Sequence, residues 1–276
     1  MTVTSRVVDD PARRNLWHPD EPRPIRVYEW RPDGTPAGTV LVSHGTGGSG
    51  SAMGWLADPM VAAGFRVVAV DHHGNDFVGG YHPAGFAHVW ERPRDLSVVL
   101  DDLGSVGPVG VAGFSAGGYT AGALVGGRAD PAIVRMVLDG GIELPPIPEL
   151  PGAFERLREE TTAVELEQAV ERSAADLRDP RVTAAYVVAP AIGAMLTEES
   201  LAAIEVPVAV RWGDADDVNP FELHVQAYVD HISGVDARSV GADVRHEDFI
   251  ESATPDPTVR DAVGRDAAAF FLRQMG

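Results

Sequence analysis

Residues 109–125 read Val-Gly-Val-Ala-Gly-Phe-Ser-Ala-Gly-Gly-Tyr-Thr-Ala-Gly-Ala-Leu-Val. The small apolar residues at the start predict a short buried strand, and the alanine- and glycine-rich stretch after Ser115 predicts a helix. Between them, Gly113-Phe114-Ser115-Ala116-Gly117 matches the pattern G-x-S-x-G, in which a strand turns sharply into a helix and exposes the serine hydroxyl. Glycine is needed at both flanks because a Cβ there would clash with neighbouring backbone. We therefore predict that Ser115 is a nucleophile.

Strand-like and helix-like segments alternate along the rest of the chain, which is typical of an α/β fold with a mostly parallel sheet flanked by helices. Strands are predicted at 25–30, 39–43, 65–70, 109–112, 206–212 and 235–240, and helices at about 52–63, 93–103, 116–125, 221–232 and 257–273.

The segment from about 127 to 180 is too long for a structureless loop, so we predict a helical cap inserted into one domain that spans 1–276. Its apolar stripe, which includes Leu157 and Val164, is expected to face Ser115 and to select the substrate. Either 133–138 or 182–189 could be the sixth core strand. We prefer 182–189 because it leads through a short crossover to the strand at 206–212.

A serine hydroxyl is a weak nucleophile and needs a base that a third group holds in place. The loop 213–220 follows a predicted strand, and catalytic groups of open parallel sheets gather at the carboxyl ends of strands. Three aspartates in this loop compete for the role of the acid: Asp214, Asp216 and Asp217. Asp139, after the apolar run 133–138, is a more distant competitor.

Only three of the nine histidines follow the acid loop, as chain order in an elbow-type enzyme requires. His224 and His231 lie on the predicted helix 221–232, where a surface position is the simpler interpretation. His246 follows the predicted strand 235–240 and begins a loop that can reach over the serine. We predict that His246 is the base.

The negative charge that develops on the attacked carbonyl oxygen needs fixed N–H donors. We predict the backbone amide of Ala116, directly after the nucleophile, and the amide of Thr46 in the glycine-rich loop 44–48. The alternative is that this loop is a glycine turn with no chemical role.

Two competing signals occur nearby. Residues 45–50 also read G-x-G-x-x-G, and Asp71 ends the next strand, as in a dinucleotide-binding site. That interpretation leaves the elbow, the acid loop and His246 unexplained. Asp71 with His72 and His73 resembles a metal set, but adjacent histidines project in different directions. We instead expect His72 and His73 to shape the pocket rim, with Tyr81 and His82 close by.

The composition excludes several chemistries. The 276 residues contain no cysteine, and all 22 basic residues are arginine, so disulfides, thiolate sites and lysine Schiff bases are excluded. The formal charge of −19 disfavours nucleic acid and anionic membranes as partners. No apolar run approaches the roughly 20 residues of a membrane helix. We expect a cytoplasmic protein without a bound metal; the oligomeric state stays open.

With these motifs in place, the chain resembles the α/β-hydrolase superfamily and, more narrowly, platelet-activating-factor acetylhydrolases and predicted serine-dependent dienelactone hydrolase-like proteins. The resemblance covers most of 25–275 and rests on the ordered motifs 42–48 (VSHGTGG), 71–75 (DHHGN), 90–96 (WERPRDL), 113–119 (GFSAGGY), 177–182 (LRDPRV) and 205–208 (EVPV), then the acid and histidine loops. Two departures limit it: true dienelactone hydrolases use cysteine, and the segment 127–180 has no counterpart.

The G-x-x-D-x-x-x-P pattern of related enzymes matches 213–220 and favours Asp216 as the acid. The resemblance implies a serine esterase, lipase-like in its chemistry, that cleaves carboxylic esters through an acyl-enzyme without a cofactor. Its roles carry over to Ser115, Asp216 and His246, and to Thr46 and Ala116 as the oxyanion hole. The alternatives are a thioesterase or cyclising enzyme of a biosynthetic pathway and, more remotely, an oxidoreductase or a non-catalytic binding protein.

Overall fold

A central sheet of eight strands organises residues 3–276, the part of the chain that the computed structural model describes. In chain order these strands are β1 (Val3–Arg14), β2 (Pro22–Trp30), β3 (Thr39–Ser43), β4 (Arg66–Val70), β7 (Val109–Phe114), β8 (Val182–Val188), β9 (Val208–Trp212) and β10 (Asp236–Ser239). β5 (Asn75–Asp76) and β6 (Gly80–Tyr81) form a separate short hairpin.

The spatial order of the sheet is β1-β2-β4-β3-β7-β8-β9-β10. β1 pairs antiparallel with β2, and β2 antiparallel with β4, whereas every pairing from β4 to β10 is parallel. This confirms the predicted α/β class with a mostly parallel sheet. The carboxyl ends of β3, β7 and β9 consequently lie along one edge of the sheet.

Helices cover both faces of this sheet. Their bounds are α1 (Gly54–Ala62), α2 (Pro83–Ala87), α3 (Glu91–Leu103), α4 (Ala116–Leu124), α5 (Pro131–Leu138), α6 (Ala153–Glu160), α7 (Ala163–Ser173), α8 (Glu198–Ala202), α9 (Gln226–His231) and α10 (Thr258–Met275). Within residues 3–276, none of them has the length and apolarity needed to cross a bilayer.

The core consists of two apolar layers, one on each face of the sheet, because successive side chains of a strand point to opposite faces. On β3, Leu41 packs with α3, α4 and α9, whereas Val40 and Val42 pack on the opposite face with α1 and α10. Successive strand residues point to opposite faces, so a strand buried on both faces is apolar throughout. All five residues of β3 are buried, as this arrangement requires.

The sixth core strand is β8, between β7 and β9, as preferred from the sequence. Residues 133–138 lie instead in α5, which begins at Pro131 with Asp130 as its N-cap. A third apolar cluster joins α5, α6 and α7 to Trp90 through Val134, Leu138, Leu157 and Val170. The segment between α4 and β8 therefore has an apolar contact surface of its own.

The edge strand β1 is the longest element that the sequence pattern failed to predict. Its side chains are mostly exposed, and it contains Pro11, so it lacks the apolar alternation of a half-buried strand. It forms because β2 offers an antiparallel partner, with Val3 opposite Trp30 and Asp9 opposite Pro24. Proline is tolerated in edge strands because one row of their amides needs no partner strand.

Candidate active site

Ser115 stands in a strained turn between β7 and α4. Its φ of 57° and ψ of −119° are uncommon for a residue with a side chain. A Cβ on Gly113 would lie 2.0 Å from the carbonyl oxygen of Gly117, and one on Gly117 would lie 2.0 Å from that of Ser43. Only glycine fits at these two positions, so the motif produces the sharp elbow that its sequence predicts.

Asp216 and His246 are held together beside this elbow. His246 Nδ1 lies 2.7 Å from Asp216 Oδ2, and both side chains are buried. The other oxygen, Asp216 Oδ1, accepts the backbone N–H groups of Val218 at 3.0 Å and Asn219 at 2.7 Å. The ring of His246 rests on Phe114, with centroids 4.8 Å apart. Two backbone donors and one imidazole thus fix the orientation of the carboxylate.

The competing aspartates lie elsewhere. Asp214 is exposed and accepts the indole N–H of Trp212 at 3.0 Å, and Asp217 is exposed. Asp139 is exposed at the end of α5. Among these four aspartates, Asp216 is the one that the structure brings to a histidine.

The Ser115 hydroxyl has an unpredicted neighbour in Asn219. The amide nitrogen Asn219 Nδ2 lies 3.4 Å from Ser115 Oγ and donates to the carbonyl oxygen of Ala189 at 2.8 Å. Within residues 3–276, Ser115 Oγ and His246 make no direct hydrogen bond. Catalytic hydrogen bonds are often long without substrate and tighten in the complex. Asn219 carries no sequence signal of its own, because its proximity to Ser115 depends on the fold of the 213–220 loop.

Thr46 and Ala116 line the same cavity as Ser115. Within residues 3–276, the two backbone N–H groups donate to no other protein group, so they are free to bind an anion. The loop that carries Thr46 is rigidly held: Gly47 N donates to Asn75 Oδ1 at 2.6 Å, and Tyr81 Oη donates to Gly47 O at 2.9 Å. Asn75, from the motif 71–75, and Tyr81, expected close to the pocket rim, are therefore positioning residues, a role that the motifs did not indicate.

The cavity over Ser115 has a volume of about 400 Å³ and predominantly apolar walls. Its floor includes Ser115 and His246, and its roof comes from the segment between α4 and β8: Val134, Val137 and Leu138 of α5, the loop 144–149, and Phe154 of α6. A volume of this size is within the usual range for a small-molecule site.

Two expectations about the cavity were wrong. Leu157 lines a separate cavity of about 200 Å³, together with His88 and Asp139, and Val164 is 66% exposed. The roof consists instead of residues of α5, the loop after it and Phe154 of α6. His224, expected on the surface, lies in the cavity wall, where its Nδ1 accepts the N–H of Ile192 at 2.8 Å.

A sequence profile of the Alpha/beta hydrolase family matches residues 40–266. The chain belongs to the alpha/beta hydrolase family. A search of curated protein sequences finds no significant match.

Solved structures share this alpha/beta hydrolase fold at low sequence identity. The esterase domain of a Rhodothermus marinus protein is 11% identical, with both chains fully covered and a TM-score of 0.61. An alpha-beta serine hydrolase homologue from Coxiella burnetii is 18% identical, over 96% of this chain and 98% of that chain, with a TM-score of 0.54. A cold-adapted esterase from an Arctic intertidal metagenomic library is 15% identical, over 100% and 96%, with a TM-score of 0.55. At such identities the likeness shows the fold alone.

This alpha/beta hydrolase also contains a second serine–histidine–aspartate set. His72 Nε2 lies 2.8 Å from Ser43 Oγ, and His72 Nδ1 lies 2.9 Å from Asp95 Oδ2. All three side chains are fully buried, and none of them lines the cavity. Burial and the nearby Arg92 lower the pKa of His72 to about 3. Although burial alone would raise it, Arg23 and Arg13 hold the pKa of Asp95 well below its ordinary range. A serine that no substrate can reach is a structural residue.

The expectation that His72 and His73 form the pocket rim was therefore wrong. His73 Nε2 accepts the N–H of Leu16 at 3.0 Å and lies 3.1 Å from Asn15 Oδ1, under the segment that follows β1. Within residues 3–276, no three His, Asp or Glu side chains are grouped so that they could hold a metal ion.

The dinucleotide-like signal also has a structural explanation in this alpha/beta hydrolase. Asp71 Oδ1 accepts Ser49 Oγ at 2.6 Å and the N–H of Gly50 at 2.9 Å, and Asp71 Oδ2 accepts Tyr28 Oη at 2.9 Å. The carboxylate is buried and caps the turn that follows the glycine-rich loop. The carboxylate already accepts three hydrogen bonds within the protein, which explains its position without a ribose hydroxyl.

Proposed function

We propose that this protein is a serine hydrolase that cleaves carboxylic esters with Ser115 as nucleophile, His246 as base and Asp216 as orienting acid. The backbone amides of Thr46 and Ala116 form the oxyanion hole. The segment of about 127–180 acts as a cap that shapes the substrate site. The substrate is a small molecule, and no cofactor takes part.

One observation carries this proposal: the strained Ser115 and His246, whose Nδ1 is held by Asp216, line the same open cavity. The buried set of Ser43, His72 and Asp95 has similar spacing but no access to that cavity. Backbone strain concentrates where function needs an unusual orientation, and Ser115 is in such a conformation. Ser43 lies in a regular strand, where its side chain has no comparable exposure.

The geometry supports a two-step acyl transfer. His246 accepts the proton of Ser115 as Oγ attacks the ester carbonyl, and the carbonyl oxygen gains charge between the amides of Thr46 and Ala116. Collapse of this intermediate expels the alcohol, which takes the proton from His246. Water, activated by the same imidazole, then attacks the acyl-enzyme and releases the acid. Asp216 stabilises the imidazolium and holds its Nδ1–H in place throughout.

Three observations support an ester substrate, and the first of them favours an apolar acyl group. The cavity walls are predominantly apolar, and Ser115 and His246 are among the polar residues that line it. Two of the similar solved structures are described as esterases. The motif resemblance to acetylhydrolases and dienelactone hydrolase-like proteins implies a carboxylic ester.

The assignment of the nucleophile is tested by labelling with a fluorophosphonate and digestion with trypsin. Trypsin cuts only after arginine in this chain, so Ser115 lies in the peptide 95–128 and Ser43 in the peptide 27–66. We expect the mass increment on 95–128, at Ser115, and its loss in Ser115→Ala. The matched control Ser43→Ala should keep the label.

A substrate panel then distinguishes the reaction classes. We expect hydrolysis of p-nitrophenyl esters, and equal or faster turnover of acyl thioesters would move the assignment to a thioesterase. A label on 27–66, or active protein without any label on 95–128, would refute the proposed nucleophile. Absence of both label and turnover in folded protein would indicate a non-catalytic binding protein.

A further inference from the structure

Arg92 is a buried cation that no carboxylate contacts. Its side chain is 1% exposed, and its Nη1 atom has no hydrogen-bond partner. Within residues 3–276, no carboxylate lies within 4.0 Å of its guanidinium group. Two other buried arginines are paired, since Arg23 binds Asp95 at 2.9 Å and Arg211 binds Asp266 at 2.6 Å. Arg260 is 2% exposed and, like Arg92, donates to a backbone carbonyl oxygen, that of Asp248 at 3.0 Å.

The position of Arg92 in its helix is also unfavourable. It lies in the first turn of α3, where the helix dipole repels a positive charge. A buried ion without a partner is strongly destabilising in a protein interior. Burial lowers the pKa of Arg92 to about 9, so the guanidinium is still charged at neutral pH. The role of this charge is therefore sought in the groups that the guanidinium contacts.

The guanidinium contacts both sides of the proposed oxyanion hole. On one side, Arg92 Nη2 donates to the carbonyl oxygen of His44, two residues before Thr46. On the other side, Arg92 Nε donates to Thr120 Oγ1 at 3.3 Å, and Thr120 Oγ1 donates to Ala116 O at 2.9 Å. One side chain thus joins the loop that carries the Thr46 amide to the helix turn that carries the Ala116 amide.

His44 also orients the loop that carries the Thr46 amide. His44 Nδ1 lies 2.6 Å from the carbonyl oxygen of Gly45, and its Nε2 accepts the N–H of His72 at 3.2 Å. The second bond leaves the proton on Nδ1, which therefore donates to Gly45 O. That carbonyl belongs to the peptide group whose N–H is the amide of Thr46, so the bond polarises this donor.

We propose that Arg92 is a positioning residue that holds the two halves of the oxyanion hole together and places a positive charge behind them. This inference rests on the proposed function. In a low-dielectric interior, a fixed charge next to preorganised donors favours the anionic transition state over the neutral ester. Arg92 does not line the cavity, so it acts through His44 and Thr120 and not by touching the substrate.

The principal test is Arg92→Met, which keeps the length of the side chain and removes the charge. We expect kcat/KM for p-nitrophenyl butyrate to fall by roughly 10- to 100-fold, below the 100- to 1,000-fold cost of losing a direct donor. Phenylboronic acid forms a tetrahedral anion on a serine nucleophile, so its inhibition constant should rise by the same factor. Arg92→Lys keeps the charge and should lose less.

Two further variants keep the proposal testable if Arg92→Met folds poorly. Thr120→Val is isosteric, breaks only the link to Ala116, and should reduce kcat/KM by about 3- to 10-fold, again below the loss of a direct donor. Arg211→Met is the matched control: it removes an equally buried arginine that is paired on the other face of the sheet. It should lower the urea midpoint and leave kcat/KM per folded molecule unchanged.

The outcomes separate this inference from the proposed function. Ester hydrolysis by the parent protein, together with labelling at Ser115, would establish the function independently of Arg92. Folded Arg92→Met with parental kcat/KM would then overturn only the inference. Equal losses in Arg92→Met and Arg92→Lys, or a loss of turnover without a matching loss of boronate affinity, would also overturn it.

Discussion

Replacing Asp216 with asparagine keeps the shape of the side chain but changes which atom faces His246. In the parent, Oδ1 accepts the N–H groups of Val218 and Asn219, and Oδ2 accepts His246 Nδ1–H. Asparagine has one oxygen and one NH₂ group. If the oxygen stays with the two backbone donors, the NH₂ group faces His246 Nδ1 and forces that nitrogen to be an acceptor.

The expected loss of kcat depends on which of the two orientations of the asparagine amide has the lower free energy. Turning the amide around would leave two buried N–H groups without an acceptor, at about 1–3 kcal/mol each. We therefore expect the oxygen to stay with the loop and the proton of His246 to move to Nε2, where the imidazole can no longer accept the proton of Ser115. The same change of tautomer in a serine protease lowers kcat by roughly 10⁴. That factor corresponds to about 5.4 kcal/mol of transition-state stabilisation.

The assay is kcat and kcat/KM for p-nitrophenyl acetate from pH 6 to 9, with Ser115→Ala as the background. Asp214→Asn and Asp217→Asn are matched controls because both side chains are exposed in the same loop. They should stay within about threefold of the parent, since changes to surface side chains rarely matter. A loss smaller than tenfold in Asp216→Asn, or an equal loss in Asp214→Asn, would refute the reasoning.

Further predictions concern chain length and pH. Val137→Trp fills the cavity roof and should shift the preferred p-nitrophenyl ester to shorter acyl chains, whereas the exposed Val164→Ala should not; the reverse result would contradict the assigned roof. Burial lowers the pKa of His44, of His72 and of His88, to about 3 for His72 and about 4 for His88. Below pH 6.5 these histidines bind protons in the unfolded chain but not in the folded one, so the free energy of unfolding should decrease as the pH is lowered. The slope is up to about 1.4 kcal/mol per pH unit for each histidine. Burial raises the pKa of Asp76 to about 6, so the folded chain binds one proton that the unfolded chain does not, which partly offsets this loss of stability. The measurement is urea unfolding at pH 7, 6 and 5. A free energy of unfolding that stays constant or rises as the pH is lowered would contradict the prediction.

Much of the fold was predictable because its signals are local. The elbow at Ser115 depends on the space around Gly113 and Gly117, and these glycines lie within two residues of the serine. Buried parallel strands such as β3 are apolar on both faces, so a short window of sequence identifies them. The preference for 182–189 as a core strand succeeded because crossover length restricts the possible topologies.

Other features have no local signal. β1 is polar and exposed, and it is a strand only because β2 is beside it. The cap stripe was assigned from helical spacing, but spacing cannot say which neighbour a face meets. Val164 therefore turned out exposed, and Val137 turned out to form part of the roof.

The sequence by itself determined the class of the fold and the strained serine, because both depend on residues close together in the chain. Tertiary structure alone brought Asp216 rather than Asp214 to His246, and enclosed Ser43 with His72 away from any cavity. It also placed Arg92 against His44, 48 residues away, where no carboxylate contacts the guanidinium group. Burial and hydrogen-bond partners arise from contacts between distant segments, and those contacts decide which of several chemically similar side chains can react.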